Sequence, residues 1–221
     1  SRITNPAAAQ PKTHSIALDV AAVDLDFPLF VKPLAEGTGK GCEKASKVRD
    51  KAELEAAVAR VLEQYHQPAL IEAYLPGREF TVGIVGNGHD AEAIAVMEIA
   101  MTDAAHEDVY GLLNKEECET RVRYSLADDD EARQAATVAL AAYRALGCRD
   151  GARLDIRSDG ARKAHFLEAN PLAGLHPYHS DLPILAGLAG WHYDRLIGCI
   201  MAAGCARYGL SAPKAGGRRA A

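Results

Sequence analysis

Several features are missing from this sequence. No apolar run approaches the roughly 18 to 20 residues that span a bilayer, and no basic-then-apolar leader opens the chain. The five cysteines (Cys42, Cys118, Cys148, Cys199 and Cys205) are odd in number, scattered and without a CxxC pair, which argues against a disulfide framework or a thiolate zinc site. Basic residues are not in excess. The 25 Lys+Arg against 30 Asp+Glu leave a formal net charge of −5, so no broad cationic field faces nucleic-acid phosphates. Internal repeats and long low-complexity linkers are also lacking. The expectation is a cytoplasmic protein with reduced thiols that engages neither membrane nor nucleic acid. What is present is ordinary globular composition, 48% hydrophobic and 25% charged over 221 residues, enough for one large domain or two small ones.

The ends carry little pattern. Residues 1–26 begin with Ser rather than Met and are rich in Ala and Pro, which reads as an edge or linker, and residues 209–221 read as a disordered tail. Between them the elements alternate. Residues 27–32 form a short apolar strand running into the glycine loop Glu36-Gly-Thr-Gly-Lys-Gly41. Asp50 with Glu53 three residues on marks a helix start, and Leu54, Val58, Val61 and Leu62 recur at helical spacing to about Tyr65. Strands are expected at 69–73, through the alternating Phe80, Val82 and Ile84, and at 91–99. The acidic run Asp128 to Glu131 precedes an Ala-rich helix to Leu146, where carboxylates suit the helix dipole without any ligand. Strands 151–157 and 164–170 follow, joined by a turn at 158–160, and a helix at 193–208 closes the pattern.

The last hairpin is the most informative. Strand alternation puts Arg153, Asp155 and Arg157 on one face of the first strand, and Phe166, Glu168 and Asn170 on one face of the second. If the register joins the polar faces, Asp155, Glu168 and Asn170 converge as oxygen ligands beside Arg153, a donor set suited to magnesium. A surface hairpin with ordinary charge alternation is the alternative. The loop Asn170-Pro-Leu-Ala-Gly-Leu-His-Pro-Tyr-His-Ser180 follows at once, dense in Gly, Pro and His, and reads as a substrate-binding segment. In the glycine loop, Gly37, Gly39 and Gly41 let backbone N–H groups approach phosphate, Thr38 adds a hydroxyl, and Lys32 offers a point charge. Its spacing fits neither GxxxxGK[ST] nor GxGxxG, so a flexible hairpin tip stays open as an alternative.

The ordered series Phe27-Pro-Leu-Phe-Val-Lys-Pro33, Glu36-Gly-Thr-Gly-Lys-Gly41, Leu70-Ile-Glu-Ala-Tyr74, Gly77-Arg-Glu-Phe-Thr-Val82, Arg153-Leu-Asp155 and Phe166-Leu-Glu-Ala-Asn170 resembles the ATP-grasp superfamily, and within it the D-alanine:D-alanine ligase family. The resemblance implies an α+β fold in which two subdomains with antiparallel sheets grip ATP between them: 27–78 with the glycine-loop lid, and 79–208 with the magnesium and substrate site. It implies that Lys32 contacts the α- and β-phosphates and that the backbone at Thr38 covers the triphosphate. Glu72, with the main chain at Ala73 and Leu75, would take the adenine edge, and Glu79 the ribose hydroxyls. Lys115 would be a further phosphate lysine, although the family's usual Glu-Ala-Lys is absent there. Asp155 and Glu168 would bind one magnesium, Glu168 and Asn170 the other, with manganese an alternative ion. Arg153 and the Gly174 N–H would form the oxyanion site, and Ser180 would hold the carboxylate of the incoming amino acid.

The implied reaction phosphorylates a carboxylate from ATP, after which an amine attacks the acyl phosphate to give an amide, ADP and phosphate, as in cell-wall precursor synthesis. Such chemistry rests on positioning and charge neutralisation and needs no protein nucleophile. Departures from the family lie in Thr38-Gly-Lys-Gly41, in Ala173-Gly174 where Pro-Gly is usual, and in a slightly longer loop to Ser180. The family also has an N-terminal domain of roughly a hundred residues, an ordinary domain length, and residues 1–26 do not replace it. An upstream substrate-binding domain or a homodimer is therefore an expected partner, beside ATP and small amino acids. Three readings remain: a D-alanine:D-alanine ligase or its ATP-grasp portion, a ligase of the same fold joining other substrates, and a nucleotide-binding module without catalysis.

Overall fold

The computed structural model describes residues 13–16, 20–37, 39–101 and 122–211. They form two compact units, and the chain passes from one to the other at Pro76–Gly77, at Glu98–Ile99 and at Arg123–Tyr124.

Alternation shapes the first unit. β2 (Leu29–Pro33) buries Leu29, Val31 and Pro33 and leaves Phe30 and Lys32 half-buried. It lies in a four-stranded sheet of order β1-β4-β2-β3, with β1 (Thr13–Ile16), β3 (Lys47–Val48) and β4 (Ala69–Ala73), all paired antiparallel. Helix α1 (Lys51–Tyr65) starts where the Asp50 carboxylate accepts the Glu53 N–H at 2.9 Å. Glu53 reaches back one residue further than a capping box requires, accepting the Arg49 N–H at 2.7 Å. The helix ends at His66 in the left-handed region, φ 51°. Its Leu54, Ala57, Val58 and Val61 pack on Leu29, Val31, Ala69 and Ile71. Burying each large side chain contributes roughly 1.5–3 kcal/mol. The stretch 1–26, expected as an edge, supplies β1 to this sheet, and Val20, Val23 and Leu25 pack against the same core.

The second unit, residues 77–98 with 124 onward, is built on a five-stranded sheet of order β7-β6-β5-β8-β9. Its strands are β5 (Glu79–Val85), β6 (Glu92–Met101), β7 (Val122–Leu126), β8 (Gly151–Ser158) and β9 (Ala164–Asn170). β5 sends Phe80, Val82 and Ile84 to one face, where α2 (Asp130–Ala145) meets them with Ala132, Ala135, Ala139, Ala142 and the buried Tyr143. Alanine at helical spacing lets helix and sheet approach closely. Thr81, Gly83 and Val85 face the other way. There α3 (Asp181–Leu188) presses on Gly83: a Cβ at this position would lie 2.9 Å from both Leu182 and Leu185. With Leu196 of α4 (Tyr193–Arg207), this makes a smaller core. The helix α3 was not expected; its run of Leu, Pro, Ile, Ala and Gly has no helical period to read. Among the described residues no helix is long and apolar enough to cross a membrane.

The β8–β9 hairpin corrects one expectation. Asp155 pairs with Glu168 but Ile156 pairs with Phe166, so Leu167 is an extra residue, a β-bulge. The bulge reverses the alternation: Phe166 joins the apolar core with Ile156, while Glu168 and Asn170 stay on the polar face. Without that residue, either Phe166 or Glu168 would point the wrong way.

Candidate active site

In the second unit, register places Thr81 opposite Asp155, Gly83 opposite Arg153, and Glu168 and Asn170 opposite Asp155 and Arg153. One face of three neighbouring strands thus gathers two carboxylates, an amide and a guanidinium. Asp155 is 8% exposed. Its Oδ1 accepts the Thr81 hydroxyl at 2.9 Å and its Oδ2 takes Arg153 Nη2 at 2.9 Å. Arg153 Nη2 also lies 3.6 Å from Glu168 Oε1, which accepts the Asn170 amide at 3.2 Å. Arg153 Nη1 pairs with Asp181 at the start of α3. Burial works against the Arg153 charge, but Asp155, Asp181 and Glu168 outweigh it and hold the guanidinium pKa above its ordinary value. Hard oxygen donors on adjacent strands, with an amide beside them, are of the kind magnesium takes. The four residues Arg153, Asp155, Glu168 and Asn170 come together as the alternation implied. Thr81 and Asp181 were missed. Thr81 was legible, since Phe80 and Val82 facing the core put it on the other face; Asp181 depended on an unforeseen helix.

The loop after β9 is braced on itself. The Ser180 hydroxyl accepts the His176 N–H at 3.0 Å, and the Ser180 N–H donates to the His176 carbonyl at 3.1 Å. A Cβ on Gly174 would lie 2.6 Å from Ser180 Oγ, so glycine is needed for the two to approach. Gly174 and Ser180 are therefore neighbours, while Leu172 and Tyr178 stand 96% and 81% exposed beside them.

At the start of β5, Glu79 pairs with Arg157 across the strands at 3.2 Å. Gly77 packs so tightly on Ser158 and Asp159 that a Cβ would meet the Ser158 carbonyl at 2.7 Å. Arg78 next to it grips Glu98 through Nε and Nη2 at 2.8 and 2.7 Å and reaches Asp129 at 2.8 Å. The acidic cluster before α2 is thus consumed structurally. Asp129 caps the helix, accepting the Glu131 and Ala132 N–H groups at 3.0 Å, and buried Glu131 accepts Arg162 at 2.9 Å.

In the first unit, Lys32 Nζ lies 2.7 Å from Glu72 Oε2, with side chains 25% and 9% exposed. Both project from the sheet face that α1 leaves uncovered, and the Lys47 ammonium lies 4.1 Å from the Tyr74 ring centroid nearby. Ala73 ends β4 and Leu75 is buried. Thr38 and Lys115 lie outside the described residues. Cys42, Cys148, Cys199 and Cys205 are not in disulfides, and none of them belongs to either group.

The family model described as D-ala D-ala ligase C-terminus matches residues 6–202. A protein named D-alanine--D-alanine ligase from Bordetella avium is 33% identical over 180 residues, covering 80% of this chain and 54% of that protein. One of the same name from Alcanivorax borkumensis is 33% identical over 178 residues, covering 80% and 54%. The chain spans about half the length of the curated relatives it matches. The crystal structure of D-alanine--D-alanine ligase from Bacillus anthracis complexed with ATP superposes with a TM-score of 0.70 at 24% identity, covering 90% of this chain and 62% of that one. The α+β architecture is the ATP-grasp fold.

Proposed function

The chain belongs to the D-Ala D-Ala ligase C-terminal family, and from that premise we propose that it is the ATP-handling part of an ATP-dependent carboxylate–amine ligase, joining D-alanine to D-alanine through an acyl phosphate. The observation that carries this reading is the Asp155, Glu168 and Asn170 donor set with Arg153 on one sheet face. Asp155 and Glu168 would hold one magnesium, Glu168 and Asn170 a second, or manganese in their place. The ion neutralises phosphate charge when bound. Lys32 would bind the α- and β-phosphates and, with Glu72 and the main chain at Ala73 and Leu75, orient the nucleotide. Glu79 would take the ribose. Thr38 and Lys115 would complete phosphate contacts. Arg153 and the Gly174 N–H would donate to the oxyanion of the tetrahedral intermediate, and Ser180 would receive the carboxylate of the incoming amino acid. A partner domain or second copy would complete the amino-acid pocket, as the greater length of the relatives supports. The cytoplasm, where ATP and reduced thiols coexist, is the proposed location.

The self-braced loop with exposed Tyr178 favours a second reading, a ligase for another amine. ADP release with ATP, magnesium and a panel of D- and L-amino acids tests both, on this chain and on the longest form its gene encodes. Turnover with D-alanine alone is expected. Turnover only with another amino acid supports the second reading, and none from either form overturns both.

A further inference from the structure

Arg153 meets more carboxylates than it has terminal nitrogens. Nη2 serves Asp155 at 2.9 Å and lies 3.6 Å from Glu168, whereas Nη1 pairs with Asp181. Asp181 is itself fixed from a second side: its Oδ1 accepts the Tyr124 hydroxyl of β7 at 3.3 Å. Arg153 and Asp181 side chains are each only 14% exposed. An acidic residue in the first turn of a helix is favoured by the helix dipole alone. The dipole, however, asks only for charge near the helix start, not for a carboxylate clamped between a β8 guanidinium and a β7 phenol.

Guanidinium is a rigid planar fork, so fixing one terminal nitrogen fixes the direction of the other. If Asp181 were absent, Arg153 would be free to turn both nitrogens onto Asp155 and Glu168, neutralising the donor set meant for a cation. We propose that Asp181 is the positioning residue for Arg153: it retains Nη1, so that the Nη2 edge stays aimed along the Asp155–Glu168 face. This rests on the reading of Arg153 as the oxyanion donor of a ligase. Tyr124 serves the same end by orienting the Asp181 carboxylate.

The test uses the longest form of the protein, labelled with 15N-arginine, and follows Arg153 by NMR, with Arg153→Lys identifying its signals. In the unaltered protein, rotation about the Arg153 Cζ–Nη1 bond is expected to be slow. In Asp181→Asn it becomes fast, and kcat falls roughly 10- to 100-fold, the scale of loss when a group that orients a site residue from behind is removed. The KM for ATP stays within about twofold, while Asp181→Glu recovers part of kcat. Tyr124→Phe, which keeps the pair, shows a smaller loss in the same direction. A residue that only supports the fold would lower the melting temperature without this split. Slow Arg153 rotation persisting in Asp181→Asn, or fast rotation with kcat unchanged, overturns the proposal. If the unaltered protein turns over no amino acid yet Asp181→Asn still frees Arg153, the anchoring stands and the ligase reading is what fails.

Discussion

Lys32 on β2 and Glu72 on β4 form an ion pair of 2.7 Å on the sheet face that α1 leaves uncovered. Glu72 is the more buried partner, so Lys32 both neutralises it and presents positive charge at that face. Replacing Lys32 with Ala removes the cation proposed to meet the nucleotide and takes the ion-pair partner from a buried carboxylate. ATP affinity measured by calorimetry is expected to fall at least about tenfold, and Glu72→Gln, which keeps a hydrogen-bonding side chain, to fall less. Unchanged affinity in Lys32→Ala would remove this residue from the proposed nucleotide site.

Asp155 and Glu168 are register partners that face the same guanidinium nitrogen, at 2.9 and 3.6 Å. Asp155→Asn and Glu168→Gln are each expected to lower ligase turnover by about 100-fold or more, since both would ligate the ion that offsets phosphate charge. Manganese titration followed by EPR gives an independent reading: both variants should bind the ion more weakly. Tight manganese binding in either variant would move the metal site elsewhere.

Acid should unfold the second unit through a defined set of carboxylates. Arg207 and Asn87 hold Asp150 below its ordinary 3.8. Burial pushes Asp159 up, but His165 and the Lys163 and Ala161 N–H groups bring it below that value. Burial likewise opposes Glu131, yet Ser158, Arg162 and Arg78 hold it below 4.5. A folded pKa below the unfolded one means that stability is fully present above the unfolded value and lost as pH falls through the folded one. Urea midpoints are expected to hold steady down to about pH 5 and to drop below it. Arg207→Ala and Arg162→Ala should flatten that drop.

The second unit also has a convenient reporter. Trp191, the single tryptophan, packs with the smaller core and carries the Arg195 guanidinium 3.8 Å from its ring centroid. Denaturation followed by its fluorescence should show Phe80→Ala costing about 3–5 kcal/mol, because Phe80 is fully buried between β5 and α2. Tyr143→Phe removes only the hydroxyl that donates to the Gly86 carbonyl at 2.7 Å, and should cost about 1–3 kcal/mol by leaving that acceptor unpaired. Equal effects would mean that α2 packs differently.

Much of this arrangement was legible because it obeys local periods. Phe80, Val82 and Ile84 announced a half-buried strand, Asp50 announced α1, and Arg153 with Asp155 announced a polar face; each needs only its own neighbours. The features that escaped depend on distant partners. β1 is four residues whose place is set by pairing with β4. The bulge at Leu167 leaves no mark in composition, yet it decides that Phe166 turns into the core while Glu168 joins Asp155. Asp181 enters the site only because Leu182 and Leu185 seat α3 on Gly83. The acidic run before α2 was correctly read as a helix start, but its second use, gripping Arg78, lies 51 residues away in sequence from Asp129.

Phosphorylation of a carboxylate by ATP, before an amine attacks it, is the step on which the proposed function turns. Its most direct test feeds the longest form of the protein with D-alanine carrying 18O in its carboxylate, together with ATP and magnesium, and weighs the released phosphate. An acyl-phosphate route transfers one 18O from the carboxylate to phosphate for each amide formed, so phosphate enriched in step with dipeptide is the predicted result. Dipeptide formed with unlabelled phosphate would contradict the account.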